Sequence, residues 1–309
     1  MALPAAVTRV GVIGNGIIGH GVAQIFAAAG VPVTMVGRSV ESLERALGKI
    51  ERSLDQFREY GLTTAAQAQA ALARIAVSTS VEDVAGAEFV VEAVPFDVEL
   101  QRAVFGQLDR LCAPPAVLAT SSGAPASSVT GGVVHRERVV AAHFWNPPQL
   151  IPLVEVCPAP DSDPAVGPWV CELLRDAGKE PVLLEREVAG FIGNRLQFAL
   201  WREAVALWGE GVASADAIDR AVKASFGRRL PVTGPLESFD LAGQRTIAAF
   251  AEFLLPSLYA GGQPHERYGE IIERGGETPL MCDWSNRDRE ALAARRIEEL
   301  FARLRDDRQ

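Results

Sequence analysis

The chain has 309 residues and sets 30 basic against 39 acidic side chains, a formal charge of −9. That length suits two domains, and that charge excludes nucleic acid and anionic membrane surfaces as natural partners. No apolar run reaches the roughly 18 residues of a membrane span, and residues 1–8 lack the basic start and long apolar core of a signal peptide. The four cysteines, Cys112, Cys157, Cys171 and Cys282, show neither C-x-x-C nor a His-linked metal spacing. The expectation is a soluble, cytoplasmic protein with reduced thiols and no metal.

Residues 9–39 read RVGVIGNGIIGHGVAQIFAAAGVPVTMVGRS. A short apolar strand runs into Gly14, Gly16 and Gly19, then into a helical pattern with Ile18, Val22, Ile25, Phe26 and Ala29 on one face. This is G-x-G-x-x-G in the strand-turn-helix setting that gives it meaning. Gly14 permits the turn, Gly16 lets a pyrophosphate approach the backbone, and Gly19 lets the helix lie close to the strand. The helix N-terminus offers free N–H groups and a positive dipole end to the phosphates. Gly14, Gly16, Ile17, Ile18 and Gly19 are therefore candidate dinucleotide-binding residues.

In NAD-binding versions of this loop an Asp or Glu ends the second strand and accepts hydrogen bonds from the ribose hydroxyls. Here that place holds Gly37, followed by Arg38 and Ser39. With no carboxylate to repel a 2′-phosphate and a guanidinium to bind it, an NAD(P) cofactor is expected, NADP narrowly favoured over NAD through Arg38 and Ser39.

Residues 40–60 carry apolar side chains at 40, 43, 47, 50, 54 and 57, an amphipathic helix capped by Ser39. A second helix starts at Thr63 or Thr64, and the two form an insertion. Strand patterns resume at 89–93 and 117–119, around a helix at 98–111. Such alternation predicts an α/β fold with a Rossmann-type, doubly wound parallel sheet. After a last strand at 180–184 no strand pattern recurs. Helical periods at 191–210, 214–225, 241–254 and 289–304 predict an all-helical second domain, giving 1–187 and 188–309.

The stretch VVAAHFWNPPQLIPLVEV, residues 139–156, pairs an apolar strand leading to His143 with one containing Glu155. An antiparallel pair centred on Gln149 sets His143 opposite Glu155, since 143 plus 155 is twice 149. A carboxylate that fixes an imidazole's tautomer and stabilises its protonated form makes a general base. The same two residues in a strand pair also suit a purely structural contact. His20, in the first turn of the glycine-loop helix, and His135 and His265, in loops, read as structural or solvent-facing.

VIGNGIIGHGVAQ, VVEAVP at 90–95, AAHFWNPP at 141–148, LVEV at 153–156, GFIGNRLQ at 190–197 and GPLESFD at 234–240 together resemble the 3-hydroxyacyl-CoA dehydrogenase family, along the whole chain and in order. The details NPP, NRLQFAL and GPLE look most like its L-gulonate 3-dehydrogenase and lambda-crystallin branch. The resemblance implies that His143 is the base that moves the hydroxyl proton and Glu155 its orienter. It implies that Ser121, or the adjacent Ser122, and Asn194 hydrogen-bond the reacting oxygen. It also implies a homodimer formed through the helical domain. Two departures bear on substrate: the insertion helix segment 56–72 holds Arg58 beside Glu59 and no lysine for CoA phosphates, and Phe96 stands where the family usually has Glu. The expected activity is hydride transfer on a small 3-hydroxy acid or its ketone. A 3-hydroxyacyl-CoA thioester is the alternative, and a structural, crystallin-like dinucleotide-binding protein the third reading.

Overall fold

A computed structural model describes residues 1, 3–273 and 281–308. The chain begins with β1 (Val10–Ile13), α1 (Gly19–Ala28), β2 (Val33–Val36), α2 (Val40–Glu59), α3 (Ala65–Ala73) and β3 (Ile75–Ser78). It continues with β4 (Phe89–Glu92), α4 (Val98–Leu111), β5 (Val117–Thr120), β6 (Val139–Phe144), β7 (Leu153–Pro158), α5 (Val166–Asp176) and β8 (Glu180–Leu183). The remaining elements are α6 (Gly193–Gly209), α7 (Ala215–Ala224), α8 (Pro235–Ala242), α9 (Gln244–Leu254), α10 (Glu266–Glu273) and α11 (Arg289–Asp306).

The strands form one sheet in the order β3-β2-β1-β4-β5-β6-β7-β8, parallel except for the antiparallel β6–β7 pair. The central strands β1, β4 and β5 are buried along their length, which is why they read as continuous apolar runs rather than alternating ones. One face carries Val12, Met35, Phe89, Val91 and Val156, covered by Phe26 of α1 and by α2 and α5; the other carries Val90, Leu118, Val139 and Ala141, covered by Phe105 of α4. The strand order reverses between β1 and β4, so the crevice for a ligand opens at their C-terminal ends. The ladder runs one residue past each strand there: Gly14 N–H donates to Val36, Ala93 to Ile13 and Ser121 to Glu92, at 2.7–2.8 Å.

The chain divides into two compact units, Met1–Ile192 with Ala294–Gln309, and Gly193–Ala293. The division falls beyond Glu187, and the end of α11 belongs with the sheet. There Phe301 and Leu304 pack with Phe57 and Leu150, and Tyr60 stacks on Phe301 at 4.6 Å. Within the second unit α6 begins at Gly193 and not at 191, because Gly190 and Phe191 both take positive φ, 77° and 48°. The helical period expected over 241–254 is broken at Gly243, φ 88°, which separates α8 from α9.

Candidate active site

The glycine loop is held by close backbone approach at both ends and open in its middle. A Cβ on Gly14, whose φ is 105°, would collide with the Ala93 carbonyl, and one on Gly19 would collide with the Gly14 carbonyl; at Gly16 nothing lies within 4 Å. The open position is the one through which a pyrophosphate reaches the backbone, so the loop fits a dinucleotide. Ile17 is exposed and Ile18 ends the loop as the cap residue of α1. The His20 imidazole donates from Nδ1 to the Gly16 carbonyl at 2.5 Å, and burial lowers its pKa against that bond. It belongs to the loop's own bracing.

At the end of β2 a Cβ on Gly37 would lie 2.8 Å from the Leu43 side chain and 2.9 Å from that of Asn15, so a carboxylate there would have to displace them. Arg38 is exposed and has no ion-pair partner among the described residues. Ser39 is already engaged: its Oγ accepts the Ser42 N–H at 3.2 Å as the cap of α2. Its hydroxyl also bonds the Glu41 carboxylate, which is held below its ordinary pKa first by its own backbone N–H and then by Ser39.

Across the β6–β7 pair His143 lies in register with Glu155, the pairing that the symmetry about Gln149 predicts. His143 Nδ1 donates to Glu155 Oε2 at 2.8 Å, with the His side chain 12% and the Glu 1% exposed. That bond assigns the proton to Nδ1 and leaves Nε2 as the basic nitrogen. Glu155 also accepts the Trp145 indole N–H on Oε2 at 3.1 Å and the Ile192 backbone N–H on Oε1 at 2.8 Å. The Ile192 bond depends on Phe191, whose left-handed backbone turns the chain so that the next N–H faces the carboxylate. Such strain in a non-glycine residue persists only where the surroundings enforce it, and Phe191 is wholly buried with its ring 5.6 Å from that of His143.

Ser121 follows β5, one strand over from β6, and its hydroxyl has no hydrogen-bond partner among the described residues. The adjacent Ser122 hydroxyl accepts the Ala124 N–H at 3.1 Å, a local turn bond, so Ser121 is the freer of the two. Beneath them lies Glu92, 1% exposed, accepting from the Thr120 hydroxyl at 2.7 Å, Val94 N–H at 2.8 Å and the Gln101 amide at 3.1 Å. Burial pushes its pKa up against those bonds. Thr120 passes the connection on by accepting the Ser122 N–H at 3.2 Å. The loop joining β6 to β7 is clamped by Lys179, whose buried ammonium donates to the Pro148 and Ile151 carbonyls at 2.6 and 2.7 Å; burial lowers its pKa to about 8. Asn194 stands in the first turn of α6, at the start of the second unit.

Sequence reasoning singled out His143, Glu155 and Ser121 and passed over Trp145, Phe191, Glu92 and Lys179. The Gly190-Phe191 pair carried a signal, since a glycine at a predicted helix start marks a turn that needs positive φ. Nothing local marked Glu92 or Lys179, whose partners come from distant strands and loops.

Residues 9–188 match the family described as 3-hydroxyacyl-CoA dehydrogenase, NAD binding domain, and residues 190–279 match its C-terminal domain. The chain belongs to the 3-hydroxyacyl-CoA dehydrogenase family. It is similar to rabbit lambda-crystallin, 33% identical over 303 residues that cover 96% of this chain and 94% of the relative. It is also similar to L-carnitine dehydrogenase of Streptomyces griseus, 37% identical over 258 residues that cover 82% and 76%. Among solved structures it resembles 5-formyl-3-hydroxy-2-methylpyridine 4-carboxylic acid 5-dehydrogenase, an NAD+-dependent dismutase, with a TM-score of 0.87, 26% identity and coverage of 96% and 97%. The chain is thus an oxidoreductase of this family with a Rossmann-type NAD-binding domain.

Proposed function

We propose that the protein interconverts the hydroxyl and ketone of a small, free 3-hydroxy acid, with His143 as general base and Glu155 as its orienter. The observation that carries this reading is the 2.8 Å bond between His143 Nδ1 and a carboxylate that is 1% exposed, at the sheet edge that also bears the glycine loop. It leaves Nε2 free to take the hydroxyl proton in oxidation and return it in reduction. A bound nicotinamide supplies the hydride acceptor or donor. The Ser121 hydroxyl, without a hydrogen-bond partner among the described residues, would hydrogen-bond the reacting oxygen, and the family resemblance implies the same role for Asn194.

A free acid is favoured over a CoA thioester because segment 56–72 has no lysine for CoA phosphates. The L-carnitine dehydrogenase relative points the same way, since carnitine is itself a free hydroxy acid. The exposed Phe96 adds an apolar surface just past β4 where the family usually has a charge. Nicotinamide absorbance over a panel of free 3-hydroxy acids and their CoA thioesters tests the reading. A thioester that exceeds every free acid in kcat/KM by more than tenfold overturns the substrate assignment.

For the cofactor we favour NADP narrowly over NAD, on the crowded Gly37 and the exposed Arg38. Ser39, spent as cap and partner of Glu41, contributes less than its hydroxyl suggests. We also propose a homodimer through the second unit, whose Phe198, Leu236, Phe239, Phe250, Phe253 and Leu255 are exposed, in a reducing, cytoplasmic setting suited to the free cysteines. Sedimentation that shows only monomer at micromolar concentration contradicts the dimer.

A further inference from the structure

We infer that the Asn15 amide binds the adenosine ribose of the dinucleotide, as a neutral acceptor in place of the carboxylate that usually ends the second strand. This rests on the NAD-binding loop of the first unit, not on the base pair and not on the choice between NAD and NADP. Asn15 lies inside the glycine fingerprint, between Gly14 and Gly16, and is half-buried. Its amide carbon stands 2.9 Å from the point that a Cβ on Gly37 would occupy. The side chain missing at the end of β2 and the side chain present at 15 are therefore two halves of one exchange. The amide stands against the space into which a carboxylate at 37 would grow.

The bonds around Asn15 fix which end of the amide is available. Ser42 Oγ lies 2.8 Å from the Ser39 carbonyl oxygen, which can only accept, so the single hydroxyl proton of Ser42 goes there. Whatever else meets that hydroxyl oxygen must be a donor. The Asn15 amide meets it at 3.0 Å, so Nδ2 faces Ser42 and Oδ1 is the end left over. Asn15 Oδ1 has no hydrogen-bond partner among the described residues.

The neighbours that could do the same work are engaged. Ser39 Oγ accepts the Ser42 N–H at 3.2 Å, and its proton goes to the Glu41 carboxylate. Glu41 is turned to that hydroxyl and to its own backbone N–H. The Gly37 N–H donates to the Ser78 carbonyl at 3.0 Å. An amide oxygen held in one direction and carrying no charge suits a ribose hydroxyl, which donates, and does not repel a phosphate on the neighbouring carbon. The loop thus keeps a ribose contact without the charge by which a carboxylate rejects a 2′-phosphate.

Calorimetric titration of dinucleotide binding, with no turnover, tests the inference. Asn15→Ala should weaken NAD about three- to tenfold, the worth of one neutral hydrogen bond. A dinucleotide whose adenosine ribose carries neither hydroxyl should bind the parent more weakly than NAD does, and should bind Asn15→Ala as it binds the parent. Asn15→Asp keeps an acceptor and adds a charge, so the ratio of NADP to NAD affinity should fall about tenfold. Any loss shared by the two, from a new charge near the pyrophosphate, cancels in that ratio. Unchanged NAD affinity in Asn15→Ala overturns the inference. An equal loss for NAD and for the dideoxy analogue reduces Asn15 to a brace between the loop and α2 and overturns it too, as does an unaltered ratio in Asn15→Asp. Arg38→Ala bears on NADP alone, so the cofactor preference and the ribose contact can fail separately.

Discussion

Glu92 on β4 and Glu155 on β7 are equally buried, each 1% exposed, yet their surroundings make different chemistry of them. Glu92 is satisfied by a hydroxyl, a side-chain amide and a backbone N–H, none of which exchanges a proton with it near neutral pH. Its work is to tie the loop after β4 to the turn after β5, and burial raises its pKa against the hydrogen bonds that it accepts. Glu155 also accepts a backbone N–H and an indole N–H, but one of its donors is an imidazole. In the function proposed here, that imidazole is what would make Glu155 part of a proton-handling pair. A buried acid is a candidate for catalysis when a donor beside it can itself gain and lose a proton.

The largest effect that would break this contrast is at His143. His143→Gln should bind dinucleotide as the parent does and lose roughly two to four powers of ten in kcat, the usual worth of a positioned general base. Stopped-flow or steady-state turnover equal to the parent's removes the distinction between the two carboxylates. Glu155→Gln keeps an acceptor for Nδ1–H and loses the charge, so it should cost less, roughly one to two powers of ten. A loss in Glu155→Gln greater than in His143→Gln would give the carboxylate a direct role.

Glu92→Gln sharpens the contrast from the other side. A carboxylate whose folded pKa is raised binds more protons folded than unfolded, so it adds stability below its unfolded pKa and loses it as pH rises through the folded one. The variant cannot titrate. Its stability relative to the parent should therefore climb as pH rises from about 4.5 and level off above the folded pKa of Glu92. Denaturant melts at a series of pH values measure this, and a difference that is flat in pH means that Glu92 does not carry the raised pKa. Catalysis in Glu92→Gln should keep the parent's pH limbs, since Glu92 reaches the site only through Thr120 and the backbone.

These two carboxylates also mark what the sequence reveals. The glycine loop is legible because its geometry is local: Gly14 and Gly19 are required by backbone approach within a handful of residues. The His143–Glu155 register is legible because an antiparallel pair about a short connection has a centre of symmetry that can be counted. Glu92 is not, because its partners Thr120 and Gln101 reach it from another strand and another helix. The return of Phe301 to Phe57 and Tyr60 is unreadable for the same reason: the apolar period of α11 says that a face is buried but not against what. Trp145 is two residues from His143 in sequence, but that its indole N–H donates to Glu155 is visible only in the fold.

The smallest expected effect is at the end of β2, where Gly37 stands in place of the usual ribose-binding carboxylate. A side chain at Gly37 would press on the Leu43 and Asn15 side chains, so the usual ribose acceptor could be restored there only if those two side chains shifted. Arg38 is then the nearest group that can distinguish a 2′-phosphate, through a charge-assisted fork of the kind that contributes about 1.5–3 kcal/mol per bond in good geometry. Two features reduce it here: the side chain is exposed and screened, and Glu41 lies in the first turn of α2 with its carboxylate bonded to Ser39. The expected preference for NADP is accordingly no more than about tenfold. Arg38→Ala should weaken NADP by about that factor and leave NAD almost unchanged. Equal NADP affinity in parent and variant, measured by fluorescence titration, or a parent that prefers NAD, makes Arg38 a solvated loop residue and leaves cofactor choice to groups other than the end of β2.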